Sequence, residues 1–180
     1  MELDGEGLLH GVPFVPSPNF DERPEGIRVD LIVIHAISLP PGEFGGSGVI
    51  DLFTNRLDAS IHPYYEAISG LKVSCHFFVR RNGEIMQFVS TLKRAWHAGA
   101  SSFRGRAKCN DFSIGIELEG SDFSPFPDEQ YGSLIELTRA ISKAHPGCEL
   151  AGHSEISPGR KTDPGPFFDW NRYRKSIATY

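Results

Sequence analysis

Two histidines and one aspartate carry the strongest suggestion of chemistry in this chain: His35, His153 and Asp163. His35 closes the β-branched apolar run Val29-Asp-Leu-Ile-Val-Ile-His35, short enough for a buried strand. Sites in sheet proteins collect at the C-terminal ends of such strands. His153 comes directly after Ala151-Gly152 and a short apolar turn, and Asp163 stands in the loop beyond it, between Thr162 and Pro164. Two imidazoles and a carboxylate form a common catalytic zinc set, with a fourth position left for water. Lys161 precedes Asp163 by two residues, so in an extended loop both side chains point the same way. A cation there can stabilise the oxyanion formed when water attacks a carbonyl.

A proton acceptor completes such a set. Phe112-Ser-Ile-Gly-Ile-Glu-Leu-Glu119 alternates strictly, with Phe112, Ile114, Ile116 and Leu118 on one face and Ser113, Gly115, Glu117 and Glu119 on the other. Glu117 is the candidate general base. Glu119 competes for the role one pleat along, and the plain alternative for both is a solvated strand face. Gly115 favours a pocket, because it removes a side chain where substrate must approach.

The remaining histidines divide. His10 and His145 lie near a terminus and a helix end and take no role; His62, before Pro63, reads as surface. His76 fits a hydrogen-bonded core histidine inside a strand. His97, in Ala95-Trp-His-Ala-Gly99, is placed to line a pocket with Trp96, since Trp96 and Gly99 allow a ligand close approach.

These residues need a frame. Gly11 to Gly26 holds Pro13, Pro16, Pro18 and Pro24, which makes residues 1–26 an extended entry segment. Val49 to Arg56 reads as a short helix; Ser74–Arg80 and Glu84–Val89 read as a hairpin turning at Arg81-Asn82-Gly83. Pro127-Asp-Glu opens a helix whose Tyr131, Leu134, Ile135, Thr138 and Ile141 form one apolar stripe, stopped at Pro146-Gly147. Ser38 to Gly48 and Ser157 to Pro166 read as loops. The expected fold is α/β: a single domain over residues 1–180, with a mixed central sheet flanked by helices.

Bulk properties limit the function classes. With 180 residues, 39% hydrophobic and 23% charged, the chain can bury a core as one folded domain. The formal charge of -5 argues against nucleic acid as a partner, because phosphates need a basic surface. The three cysteines, Cys75, Cys109 and Cys148, form no CxxC pair and read as free thiols. No apolar run approaches the roughly 20 residues of a membrane span. The acidic start is unlike a signal peptide, so the expected location is cytoplasmic. No protein partner is evident.

The motifs converge on one family. Ile34-His-Ala-Ile-Ser-Leu-Pro-Pro-Gly-Glu-Phe-Gly45, Arg94-Ala-Trp-His-Ala-Gly99, Cys109-Asn-Asp-Phe-Ser-Ile-Gly-Ile-Glu-Leu-Glu-Gly120, Gly152-His-Ser-Glu-Ile-Ser-Pro-Gly-Arg-Lys-Thr-Asp-Pro-Gly165 and Phe168-Asp-Trp170 occur in order. From about Gly11 to Tyr173 the chain resembles the zinc N-acetylmuramoyl-L-alanine amidases, in particular the cytoplasmic branch that acts on anhydromuramyl-peptides. Phage amidases and peptidoglycan recognition proteins belong to the wider family. The resemblance implies that His35, His153 and Asp163 hold zinc, Glu117 is the general base, and Lys161 stabilises the transition state. It implies an anhydromuramyl-peptide substrate, a place in peptidoglycan recycling, and an indirect effect on β-lactamase induction. Phage relatives have a cysteine at the third ligand position; this chain has Asp163.

The chain also departs from the pattern. Ala36 stands where Asn is common after the first ligand, and Ser154-Glu155 where Cys-Asp is common. Lys72 and Lys108 stand where arginines are expected to meet the peptide stem, keeping the charge but losing the bidentate fork. A binding module that recognises wall fragments without cutting them is the competing reading, and a structural zinc a third; the latter needs a fourth protein ligand, with no spare Cys or His near Asp163 in sequence. The glycine-rich Ser38–Gly70 stretch is a candidate lid.

Overall fold

The computed structural model describes residues 1–178. In chain order the elements are β1 (Phe20–Asp21), β2 (Leu31–Ile37), α1 (Gly48–Phe53), α2 (Pro63–Ile68), β3 (Phe77–Val79), β4 (Ile85–Gln87), β5 (Arg94–Ala95), β6 (Ser102–Phe103) and β7 (Arg106–Ala107). A 3-10 turn (Cys109–Asp111) leads into β8 (Ser113–Glu119), followed by α3 (Asp128–Ala144), β9 (Glu149–Gly152), α4 (His153–Ile156) and α5 (Trp170–Ala178).

Five strands form the central sheet in the order β4-β3-β8-β2-β9. β3, β8, β2 and β9 run parallel and only the edge strand β4 is antiparallel, so the sheet is mixed, as the sequence leads one to expect. Parallel strands are covered on both faces. On one face Ile32, Ile34, Ile114, Ile116, Leu118, Phe77 and Val79 pack against Tyr131, Leu134, Leu137 and Ile141 of α3.

The opposite face explains a difference from expectation. All seven residues of β8 are buried, Glu117 and Glu119 included, so the polar stripe is no solvated face. Chain segments outside the sheet cover this face: Ala98 and Phe112 from loops, Cys109 from the 3-10 turn and Ile156 from α4 pack on Leu31, Val33 and Ala151. Phe112 therefore leaves the alternation and joins this second cluster, ahead of the strand.

Other elements differ by short shifts. His153 does not follow a turn: Glu149–Gly152 is the fifth sheet strand and His153 opens α4. The Ser38–Gly70 stretch is loop only in part, since it contains α1 and α2. The hairpin turns as expected, with Gly83 at φ 84 and a Gly83 amide donating to the Arg80 carbonyl. The entry segment runs along the sheet edge, where Val15 and Ser17 amides donate to Gln87 and Phe88 carbonyls, which protects β4 from other pairing. Its Arg23 reaches inward and donates to the carbonyls of Thr91, Asn110, Asp111 and Ser113, tying the site loops together.

Candidate active site

The sheet register brings the first pair together. His35 on β2 and Glu117 on β8 are direct partners across the parallel ladder, so both side chains rise from the same face. β9 delivers the next ligand: its last residue Gly152 pairs with Ile34, and His153 follows at once. The Ser154 amide then donates to the Asp163 carbonyl, which draws the distant loop back over α4.

The three proposed ligands form a tight triangle. His35 Nδ1 lies 2.9 Å from His153 Nδ1 and 3.3 Å from Asp163 Oδ2, and His153 Nδ1 lies 3.0 Å from the same oxygen. Tetrahedral zinc with arms of about 2.0–2.1 Å places its ligand atoms about 3.3 Å apart, so these atoms fit one small cation. The far nitrogens have other partners. His153 Nε2 faces the Ala98 carbonyl at 3.3 Å and His35 Nε2 faces His97 Nδ1 at 2.9 Å.

Glu117 completes the corner. Its Oε1 lies 3.9 Å from His35 Nδ1, and its buried Oε2 has no hydrogen-bond partner among the described residues. An orphaned carboxylate oxygen is costly in an apolar setting and marks a place where water or substrate belongs. Glu119 is instead fully used: it accepts from the Gly45 and Arg81 amides and from Arg80 Nη1. Of the two acids on this strand face, Glu117 thus keeps an unpaired oxygen while Glu119 is held by its neighbours.

Burial drives the electrostatics. It raises the Glu117 carboxyl well above the usual carboxylate range, with Asp163 adding to the effect and Lys161 opposing it. Burial lowers His35 to about 4, against a partial pull from Asp163. Burial alone would raise the Asp163 carboxyl, but the imidazoles of His153 and then His35 overcome it and hold it below its ordinary range.

Comparison with known proteins places the chain in a family. A family profile described as N-acetylmuramoyl-L-alanine amidase matches residues 25–166. The chain belongs to this amidase family. It is 53% identical over 175 residues to the 1,6-anhydro-N-acetylmuramyl-L-alanine amidase AmpD of Haemophilus influenzae, covering 96% of this chain and 95% of the relative. The crystal structure of a selenomethionine AmpD derivative superposes with a TM-score of 0.96 at 51% identity, over 98% of this chain and 99% of that one. The Escherichia coli amidase AmiD, in complex with anhydro-N-acetylmuramic acid-L-Ala-D-gamma-Glu-L-Lys, matches at TM-score 0.61 and 27% identity, over 88% of this chain and 65% of that one.

In this amidase the sequence-derived residues fall into three overlapping groups, with Lys108 outside them. His35, His153 and Asp163 are the group of side chains able to share a metal ion among the described residues. Glu117, Lys161, His153 and Asp163 line one cleft of about 440 Å³, where Lys161 is exposed. Lys72, Trp96 and His97 line an adjoining pocket with His153, Arg160 and Lys161. Lys108 is exposed and belongs to neither lining, being set at φ 60 before the 3-10 turn. A separate open depression over Phe44, Arg80 and Arg81 holds none of these groups.

Some residues of the amidase cleft gave no signal in the sequence. Arg160 lines both pockets and donates to the Ala98 and Ala100 carbonyls. Tyr64 and Phe123 stand at the rim, with Phe123 89% exposed. Arg160 sits inside the Gly152–Gly165 motif without a role that its type or spacing assigns, and Tyr64, in α2, and Phe123 lie outside every motif. Gly115 has a different use from the one expected. A Cβ there would lie 2.6 Å from His97 Nδ1, so its missing side chain makes room for the His97 ring rather than for substrate.

Proposed function

We infer that this chain hydrolyses the amide bond between the lactyl group of an anhydromuramyl sugar and the L-alanine of its stem peptide. The observation that carries the reading is the compact triangle of His35, His153 and Asp163 beside the unpaired Glu117 oxygen, in a chain so similar to named amidases. The donor set, two imidazole nitrogens and one carboxylate oxygen, suits zinc and leaves a position for an exogenous ligand. Zinc held there supplies Lewis acidity, which polarises the scissile carbonyl and eases deprotonation of water.

The side chains do the rest. Glu117 takes a proton from the attacking water, and its raised proton affinity suits a group that must hold that proton briefly. The water oxygen bonds the carbonyl carbon, and the ammonium of Lys161 faces the oxygen that gains charge. Glu117 then returns the proton to the alanine nitrogen as the carbon–nitrogen bond breaks. A free peptide with an amino terminus and a sugar carboxylate leave the cleft. Lys72 beside Trp96 is placed to meet a carboxylate of the stem peptide, and Lys108 could reach a more distal part of it.

The reaction belongs in the cytoplasm, on wall fragments returned for reuse. Cys75, Cys109 and Cys148 are all free thiols, as suits a reducing compartment, and among the described residues no helix is long and apolar enough to cross a membrane. The test is to incubate the zinc-loaded protein with anhydromuramyl-peptide and, separately, with intact sacculi, and to identify the products by mass. Peptide freed at its alanine amine from the fragment supports the reading; binding of the fragment without cleavage would make the protein a recognition module.

A further inference from the structure

His97 is buried, 8% exposed as a residue, and both of its ring nitrogens are committed within the protein. Its Nε2 lies 3.1 Å from Ser113 Oγ, and that hydroxyl donates its own proton to the Cys109 carbonyl at 2.6 Å. A hydroxyl has one proton, so Ser113 Oγ must accept from His97. His97 therefore carries its proton on Nε2 and offers a lone pair at Nδ1. That lone pair faces His35 Nε2 at 2.9 Å, so His35 is the donor and its proton sits on Nε2. The remaining lone pair of His35, on Nδ1, then points into the triangle with His153 and Asp163.

We propose that His97 is a positioning residue for the metal site: it fixes the tautomer and ring orientation of His35 through a one-directional hydrogen-bond chain anchored on the Cys109 carbonyl. The proposal rests on the metal reading above and adds a residue to it. The reverse polarity would place an N–H on His35 Nδ1, aimed at the cation, and would block ligation.

Several contacts hold His97 for this task. Asn110 Oδ1 accepts from the His97 and Ala98 amides in turn, pinning the loop. Gly115 on β8 leaves the space the ring occupies. The same loop serves the other imidazole, because the Ala98 carbonyl faces His153 Nε2. Residues 97 and 98 thus present an acceptor to the outer nitrogen of each histidine ligand. Metal-bound histidines usually donate to a carboxylate, carbonyl or water. His35 differs in donating to a second imidazole, whose polarity must itself be set, and Ser113 sets it.

The experiment combines variants with a spectroscopic reading. Nitrogen-15 NMR of the imidazoles in the metal-free parent should show both His35 and His97 protonated on Nε2. Zinc affinity, measured by competition with a chelator, should fall about 10- to 100-fold in His97→Phe, which keeps the ring but offers no acceptor. His97→Asn restores an acceptor near the Nδ1 position and should recover most of that loss. Ser113→Ala should weaken zinc in the same direction. The proposal is overturned if His35 is protonated on Nδ1 in the metal-free parent, or if a folded His97→Phe holds zinc within about threefold of the parent, well inside the loss typical of such outer partners. Should His97→Phe fail to fold, the NMR result on the parent decides alone. A parent that binds no zinc at all would instead sink the metal reading, while the tautomers would still report on the chain.

Discussion

His35 and Glu117 face each other across two adjacent parallel strands, in direct register, with 3.9 Å between imidazole Nδ1 and carboxylate Oε1. The ladder hydrogen bonds of β2 and β8 therefore set the spacing between a proposed metal ligand and the proposed base. A one-residue slip would turn one of them to the opposite face. Sheet register and active-site geometry are the same fact here.

Glu117→Gln keeps the shape of that side chain and removes its proton affinity. Turnover of anhydromuramyl-peptide should drop by about two to four orders of magnitude. Zinc content should not change, since the three ligand atoms come from other residues. Steady-state kinetics and metal analysis on one preparation check both parts; near-parental turnover would remove Glu117 from the mechanism.

The raised Glu117 carboxyl also has a signature in stability. Burial, and behind it the Asp163 charge, lift its proton affinity in the folded state. Folding thus retains a proton that unfolding releases. The stabilising contribution is present below the unfolded-state value and is lost as pH rises through the folded-state one. In metal-free protein, the Tm of the parent should fall relative to Glu117→Gln as pH climbs through that range. A Tm difference that stays constant with pH would contradict the assignment.

Lys161→Ala should lose about two to three orders of magnitude in kcat, the usual cost of removing an oxyanion donor. Lys161 is exposed in the cleft and contributes no atom to the triangle, so zinc should bind as before. An active Lys161→Ala enzyme would refute its role.

Gly115→Ala tests the packing beneath the site. The new methyl would overlap the His97 ring, which is buried against β8. Overpacking of this kind costs about 1–3 kcal/mol, to be read by denaturant unfolding. A variant as stable as the parent would show that the ring has room to move.

Lys72 and Lys108 should separate in the kinetics. Lys72 lines the pocket beside Trp96, whereas Lys108 lies outside both linings. Lys72→Glu should raise KM by a few-fold, corresponding to about 1 kcal/mol for an exposed charge contact. Lys108→Glu should alter KM less. Equal effects would place the peptide stem across both.

Much of this was legible in the sequence, for stated reasons. The apolar run ending at His35 and the alternation through Glu117 gave the two central strands, because burial periodicity is written directly in residue type. The loop signals around Asp163 placed it correctly outside a helix. Two things were not legible. The polar stripe of β8 looks identical whether water or a folded-back loop covers it, so the burial of Glu117 and Glu119 and the capture of Glu119 by Gly45, Arg80 and Arg81 depended on tertiary contacts. The use of Gly115 and the pairing of His97 with His35 likewise join segments far apart in the chain, and no local pattern encodes them.

On the proposed mechanism, amide cleavage needs His35, His153 and Asp163 to share one metal ion. The most direct measurement follows release of peptide from anhydromuramyl-peptide through a cycle of chelation and zinc return, in the parent and in Asp163→Ala. The parent should lose cleavage on chelation and regain it with one equivalent of zinc, while Asp163→Ala should do neither. Undiminished cleavage by parent protein stripped of metal would contradict the account.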